Sequence, residues 1–206
     1  MSIYQALIFS TMYSLYSQFS TIWSSPPHNF NTTQLALSYL GVATGFILAA
    51  CIIVPFIDRV YKRLAKIHNN GEGKPEYRLP LANIGAVFLP ASLFWFGWTV
   101  QAGSPWPVVL SAMLLFGASQ VSIFNTVQNY YIDAFESMAA SALAAGAFLR
   151  SVIGGIVPLL VSKMFERIGY GWGFSVFGTM ALVLMPAPLL FFWYGERLRK
   201  RFAMDM

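Results

Sequence analysis

The stretch Ala142–Leu160, ALAAGAFLRSVIGGIVPLL, carries a single charge, Arg150, with Gly146, Gly154 and Gly155 around it. Counted at about 1.5 Å per residue from the charged break at Asp133 and Glu136, Arg150 lies roughly 20 Å into a helix, near the middle of a hydrocarbon core about 30 Å thick. A guanidinium at that depth is costly on any insertion scale, about 2.5–3.5 kcal/mol on the lenient one, so it marks a functional position by default. Ala142, Gly146, Gly154 and Pro158 recur at four-residue spacing on the same stripe. Small residues there admit a neighbouring helix. Arg150 is therefore expected to face that helix, its donors taken by helix carbonyls, by Asn or Tyr side chains, or by substrate. The rival reading makes it a structural tie between helices with no ligand role.

Working outward, 57% of the 206 residues are hydrophobic and 10% charged, against about 25% charged in an ordinary soluble domain. Six apolar segments are long enough to span a bilayer, at roughly 2–24, 34–57, 80–100, 106–132, 137–162 and 172–194. All are expected to be helices, because an open sheet leaves backbone groups unsatisfied in lipid. The fold class is all-α integral membrane, and a cytoplasmic connector covers about 58–79. That connector carries Arg59, Lys62, Arg63, Lys66, Lys74 and Arg78, and the tail carries Arg197, Arg199, Lys200 and Arg201. Six spans bring these two basic regions to one side, and the positive-inside rule makes that side cytoplasmic, with both termini. Trp23, Trp98, Trp106, Trp172 and Trp193 fall near span ends, as interfacial anchors do.

The first segment lacks the positive flank and cleavage site of a signal peptide. Its Tyr13, Ser17 and Ser20 suit a face turned to protein or to a water-filled cavity. In the fourth segment Ser119, Ser122, Asn125 or Thr126, and Asn129 recur every three or four residues, flanked by Gln120 and Gln128. One polar helix face results, lining a cavity or a polar helix contact. Asp58, Arg59 and Arg63, in DRVYKR at the end of the second segment, form a carboxylate-and-cation turn suited to tying helix ends together and to making or breaking as a bundle rocks. The bland reading of the same turn is orientation by positive charge.

Other chemistries find no constellation. The single cysteine, Cys51, allows no disulfide within the chain and no cysteine metal site. His28 and His68 fall on opposite sides of the expected membrane, which leaves no metal centre, no cofactor site and no histidine-based enzyme mechanism. A net charge of +5 is membrane topology rather than nucleic-acid affinity. Asn31 opens the acceptor pattern NTT, too near the membrane for glycosylation to be expected.

Five pieces in order resemble the C-terminal half of a major facilitator superfamily transporter of the fungal drug:proton antiporter branch. They are DRVYKRLAK, PEYRLP leading into LFWFGWT, NYYIDAFESMAASALAA, FLRSVIGGIVPLL with GYGWGFSVFG, and the ending FFWYGERLRKR. The resemblance implies that the six segments correspond to the family's seventh to twelfth helices. It implies proton-coupled efflux of small amphipathic compounds (drugs, toxins, secondary metabolites or polyamines) by alternating access around a midplane site. It also makes the first and fourth segments cavity-lining and the plasma membrane the expected location. The sequence departs from the full pattern by having no N-terminal half and no carboxylate inside any expected span. A second six-helix half or another chain is therefore expected as partner, beside the bilayer, substrate and protons. The rival is a non-transporting membrane protein that binds a partner through the Gly/Ala-rich fifth segment.

Overall fold

A computed structural model describes residues 2–68, 73–135 and 138–202. Among them the secondary structure is helical: α1 (Ser2–Ser24), α2 (Thr32–Ser38), α3 (Leu40–His68), a 3-10 turn (Pro75–Arg78), α4 (Pro80–Gln101), α5 (Trp106–Phe135), α6 (Ala139–Leu184) and α7 (Ala187–Phe202). Among the described residues four stretches are long and apolar enough to cross a membrane: Thr32–Ile67, Ala82–Gln101, Trp106–Phe135 and Ala139–Gly195.

The six expected spans are thus not six separate apolar helices. The first, α1, forms as a helix but is too polar to qualify. Its hydroxyls turn back on its own carbonyls, Ser10 to Ala6 at 2.7 Å, Thr11 to Leu7 at 2.9 Å and Ser14 to Ser10 at 2.6 Å. Hydropathy measures affinity for lipid, and α1 is largely enclosed by protein, with Tyr4, Ile8, Leu15 and Phe19 almost wholly buried.

The fifth and sixth expected spans lie on one helical stretch of 57 residues. A straight helix of that length would run to about 85 Å, far beyond a bilayer's hydrocarbon core. It is broken at Gly169, where φ 78° and ψ 170° fall in a region open essentially to glycine alone. The expected connector 58–79 also needs correction: residues 58–68 continue α3, and Pro75–Arg78 form the 3-10 turn. Nothing between Asp58 and His68 breaks a helix, and Leu64 and Ala65 keep an apolar side, so the helix runs on into the basic segment.

The helices pack through small residues, as membrane bundles do. A β-carbon at Gly45 of α3 would run into the Leu114 carbonyl of α5, and one at Gly117 would stand 2.9 Å from the Val42 carbonyl. On α6, Gly154 meets Tyr13 and Phe9 of α1, at 3.2 and 3.6 Å from where a β-carbon would stand. Beyond the break, Phe174 packs edge-on against Phe96 of α4, with ring centroids 5.0 Å apart. These contacts set one arm of α6 beside α1 and the other beside α4.

Candidate functional site

Three helices build the surroundings of Arg150, and their contacts fix the register. Along α1 and α6, Gly146 faces Ser2 and Gln5, Gly154 faces Phe9 and Tyr13, and the Gln18 amide donates to the Ser162 hydroxyl at 2.9 Å, so these helices run parallel. Along α1 and α5, the Gln120 amide reaches the Met12 sulfur at 2.8 Å, Phe9 meets Phe124, and the Ser2 and Tyr131 hydroxyls bond at 2.9 Å, so these run antiparallel. Arg150 lies in the layer of Phe9 and Phe124. Its guanidinium carbon is 5.1 Å from the centroid of the first ring and 5.2 Å from that of the second.

Ring quadrupoles attract the cation. They are no substitute for a hydrogen-bond acceptor, and Arg150 Nη1 is buried without a hydrogen-bond partner. One turn before it, the space beside Gly146 is bounded by Gln5 Oε1 and Ser2 Oγ, each 3.9 Å from where a β-carbon would stand. Both amide atoms of Gln5, and Oε1 of Gln128 on the facing helix, are likewise buried and unpartnered. Buried polar groups are normally satisfied, so four such atoms on the three helices that meet around Arg150 need an explanation.

The other expected site residues distribute differently. Tyr13, Ser17 and Ser20 form an exposed stripe on α1, with Tyr13 against Gly154. The polar face of α5 does not join Arg150. Ser119 and Ser122 line a cavity of about 270 Å³ with Ile52, Phe56, Ile84 and Phe88 of α3 and α4. Asn125 donates to the Val121 carbonyl at 3.1 Å, and Asn129 is half-buried. The periodicity that unites these residues also sets them apart from Phe124: positions two apart on a helix point in nearly opposite directions. The face of α5 that meets α1 carries Gln120, Phe124 and Tyr131 instead.

The turn at Asp58, Arg59 and Arg63 also differs from expectation. Asp58 pairs not with its basic neighbours, which are exposed, but with Arg78, at 2.7 Å. The same guanidinium donates from Nε to Asp133 at 2.7 Å and lies 4.2 Å from the centroid of the Tyr61 ring. One side chain thereby ties α3, the 3-10 turn and α5 together. Burial works against its charge, but hydrogen bonds and charge from Asp133 and Asp58 outweigh it, so the pKa of Arg78 is raised above the ordinary arginine value. The signal that could have found it is PEYRLP, a cation set just before an apolar run. The cationic side chains of the tail, Arg197, Arg199, Lys200 and Arg201, lie outside those described, as does Glu136. Among the described residues no group of His, Cys, Asp and Glu could hold a metal ion.

Apolar crossing helices packed through glycines, with a guanidinium and uncapped polar atoms inside the bundle, define a polytopic membrane protein with a polar interior seam. Comparison with known proteins gives the class its family. The chain is 37% identical over 199 residues to the MFS-type transporter penM of Penicillium rubens, covering 97% of this chain and 39% of that protein. It is 37% identical over 200 residues to the efflux pump radE of Floropilus chiversii, covering 97% and 37%. It is 37% identical over 201 residues to the major facilitator superfamily multidrug transporter mdrA of Aspergillus fumigatus, covering 98% and 33%. This is a membrane protein of the major facilitator superfamily, matched along almost its whole length to the fungal efflux branch. The chain spans between a third and two fifths of the length of these three relatives. No family model matches, and no solved structure does.

Proposed function

We propose that the chain forms the C-terminal six-helix half of an efflux transporter that exports small amphipathic compounds by alternating access, driven by proton influx. The observation that carries this reading is the continuous 97–98% coverage of the chain by transporters and efflux pumps. In this reading the break at Gly169 lets the long apolar stretch pass through the bilayer twice, while α1 crosses inside the bundle. Tyr13, Ser17 and Ser20 on α1 and Arg150 on α6 border the substrate path. Ser122, Asn125 and Asn129 belong to the path only through movement of α5 against α3 and α4. Asp58 and Arg78, with Arg59 and Arg63 beside them, form the gate at the cytoplasmic end, where both termini lie.

Among the described residues no carboxylate meets Arg150, so the proton-coupling acid comes from a second half, as does the facing wall of the path. Large apolar side chains on α6 remain exposed for such a partner or for lipid, among them Phe148 and Leu159, both at 74%. That exposed face also fits a chain that only binds a partner and moves nothing. Proteoliposomes separate the two. With a pH gradient imposed and lumenal pH followed by a dye, substrate-stimulated proton movement is expected when the chain is co-reconstituted with the N-terminal six helices of a relative. Absence of flux from that pair, with both halves correctly inserted, would sink the transport reading.

A further inference from the structure

We infer that the Arg150 seam is a recognition site for the carboxylate of an aromatic organic anion, a narrowing of substrate class that rests on the transport reading. Four buried atoms carry it: Arg150 Nη1, Gln5 Nε2, Gln5 Oε1 and Gln128 Oε1, all without partners. Among the described residues Arg150 makes no hydrogen bond and no ion pair, and it is partly buried with Nη1 fully so. The acidic groups of α3 and α5, Asp58 and Asp133, are both held by Arg78, and Glu166 is exposed. Phe9 and Phe124 lie against the guanidinium, yet Nη1 keeps its donors unused, and a guanidinium with spare donors matches the two oxygens of a planar carboxylate. A lone carbonyl would satisfy a donor but not the charge, and a cation would be repelled by it.

The remaining surroundings select the rest of the ligand. Phe9, Phe124 and Tyr13 present rings, with Phe9 and Tyr13 6.0 Å apart and Phe9 and Phe124 5.7 Å apart. These suit an aromatic body beside the charged group. The Gln5 amide supplies one donor and one acceptor, matching a hydroxyl or carbonyl on the same body. Polyamines, among the substrate classes that the family resemblance admits, do not fit this site.

The test uses the full chain purified in detergent and three probes that share one ring system: biphenylcarboxylate, biphenylcarboxamide and biphenylmethylamine. Calorimetric titration is expected to give binding of the carboxylate roughly ten-fold or more tighter than of either other probe. Arg150→Gln is expected to abolish that preference at unchanged helix content and elution. Arg150→Lys keeps the charge without the planar fork and should retain part of it. Equal binding of all three probes, or a carboxylate preference that survives Arg150→Gln, would overturn the site. So would no binding at all, since the partner of Nη1 would then be water or a carboxylate from another part of a longer protein. The transport reading fails separately: carboxylate preference without flux in the two-half proteoliposomes leaves the site standing. Flux of the carboxamide as fast as of the carboxylate, unchanged by Arg150→Gln, leaves transport standing and removes the site.

Discussion

Arg150 shows what one residue reveals by itself and what it hides. Its depth in an apolar run was readable by counting, and so was the small-residue stripe beside it. Its partners were not. Phe9 and Phe124 come from helices whose approach depends on packing, and ordinary phenylalanines in apolar segments announce nothing. Asp58 behaves alike: the sequence marks it as half of an ionic tie but cannot choose between adjacent arginines and Arg78 twenty positions on. Gly45 is a third such point, because only the close approach of Leu114 gives it meaning. Gly45→Ala forces a side chain against a backbone carbonyl and is expected to destabilise the bundle by about 1–3 kcal/mol. Resistance to unfolding by a denaturing detergent, compared with Ala43→Gly on the same helix, measures this. A Gly45→Ala variant as stable as its parent would mean that α3 and α5 are less closely packed.

At the scale of elements, the polar side chains act as connectors between helix ends. Arg78→Met leaves Asp133 half-buried and unpaired, a loss of about 1.5–3 kcal/mol for that charged hydrogen bond, and the more exposed Asp58 adds little. Arg78→Met and Asp133→Asn should each lower the melting temperature, and the double variant should fall short of the sum of their effects. Strict additivity would show the bond to be incidental. Between α1 and α2, His28 packs at a tilt against Trp23 and Phe30, at centroid distances of 4.8 and 5.7 Å, and burial lowers its pKa below the ordinary histidine value. The unfolded chain then binds the proton more readily, so this contribution is whole above the ordinary histidine pKa and is lost as pH falls through it. Between about pH 7 and about pH 5 the melting temperature of the parent should drop more than that of His28→Phe. The opposite ranking would place His28 in water.

The helices of these elements were legible from run length, and the polar periodicity of α5 was real. What that face meets was not legible, because a period names a face without naming its neighbour. The extension of α3 to His68 is not legible in the sequence, because charge clusters mark membrane ends while the helix itself continues into water.

For the whole molecule, the class was legible in alternating apolar runs and sparse charge. The number of separate crossing helices was not, because α1 is polar yet enclosed, and the last long stretch is broken inside α6 at Gly169 and again between α6 and α7. Gly169→Ala should reduce the yield of folded protein, since no side chain is comfortable at its backbone angles. Normal yield and stability would show that the two arms turn elsewhere.

The central claim is that the polar stripe of α1 borders a water-filled path inside a lipid-embedded bundle. Cysteine labelling in native membranes tests it most directly, in a Cys51→Ser background because Cys51 is exposed. Single cysteines at Tyr13, Ser17 and Ser20 are expected to react with a membrane-impermeant thiol reagent. Those at Phe148 and Leu159, equally or more exposed in the isolated chain, are expected not to react, because lipid or a partner half covers them. Similar labelling of both sets, or labelling of the α6 set alone, would contradict the account.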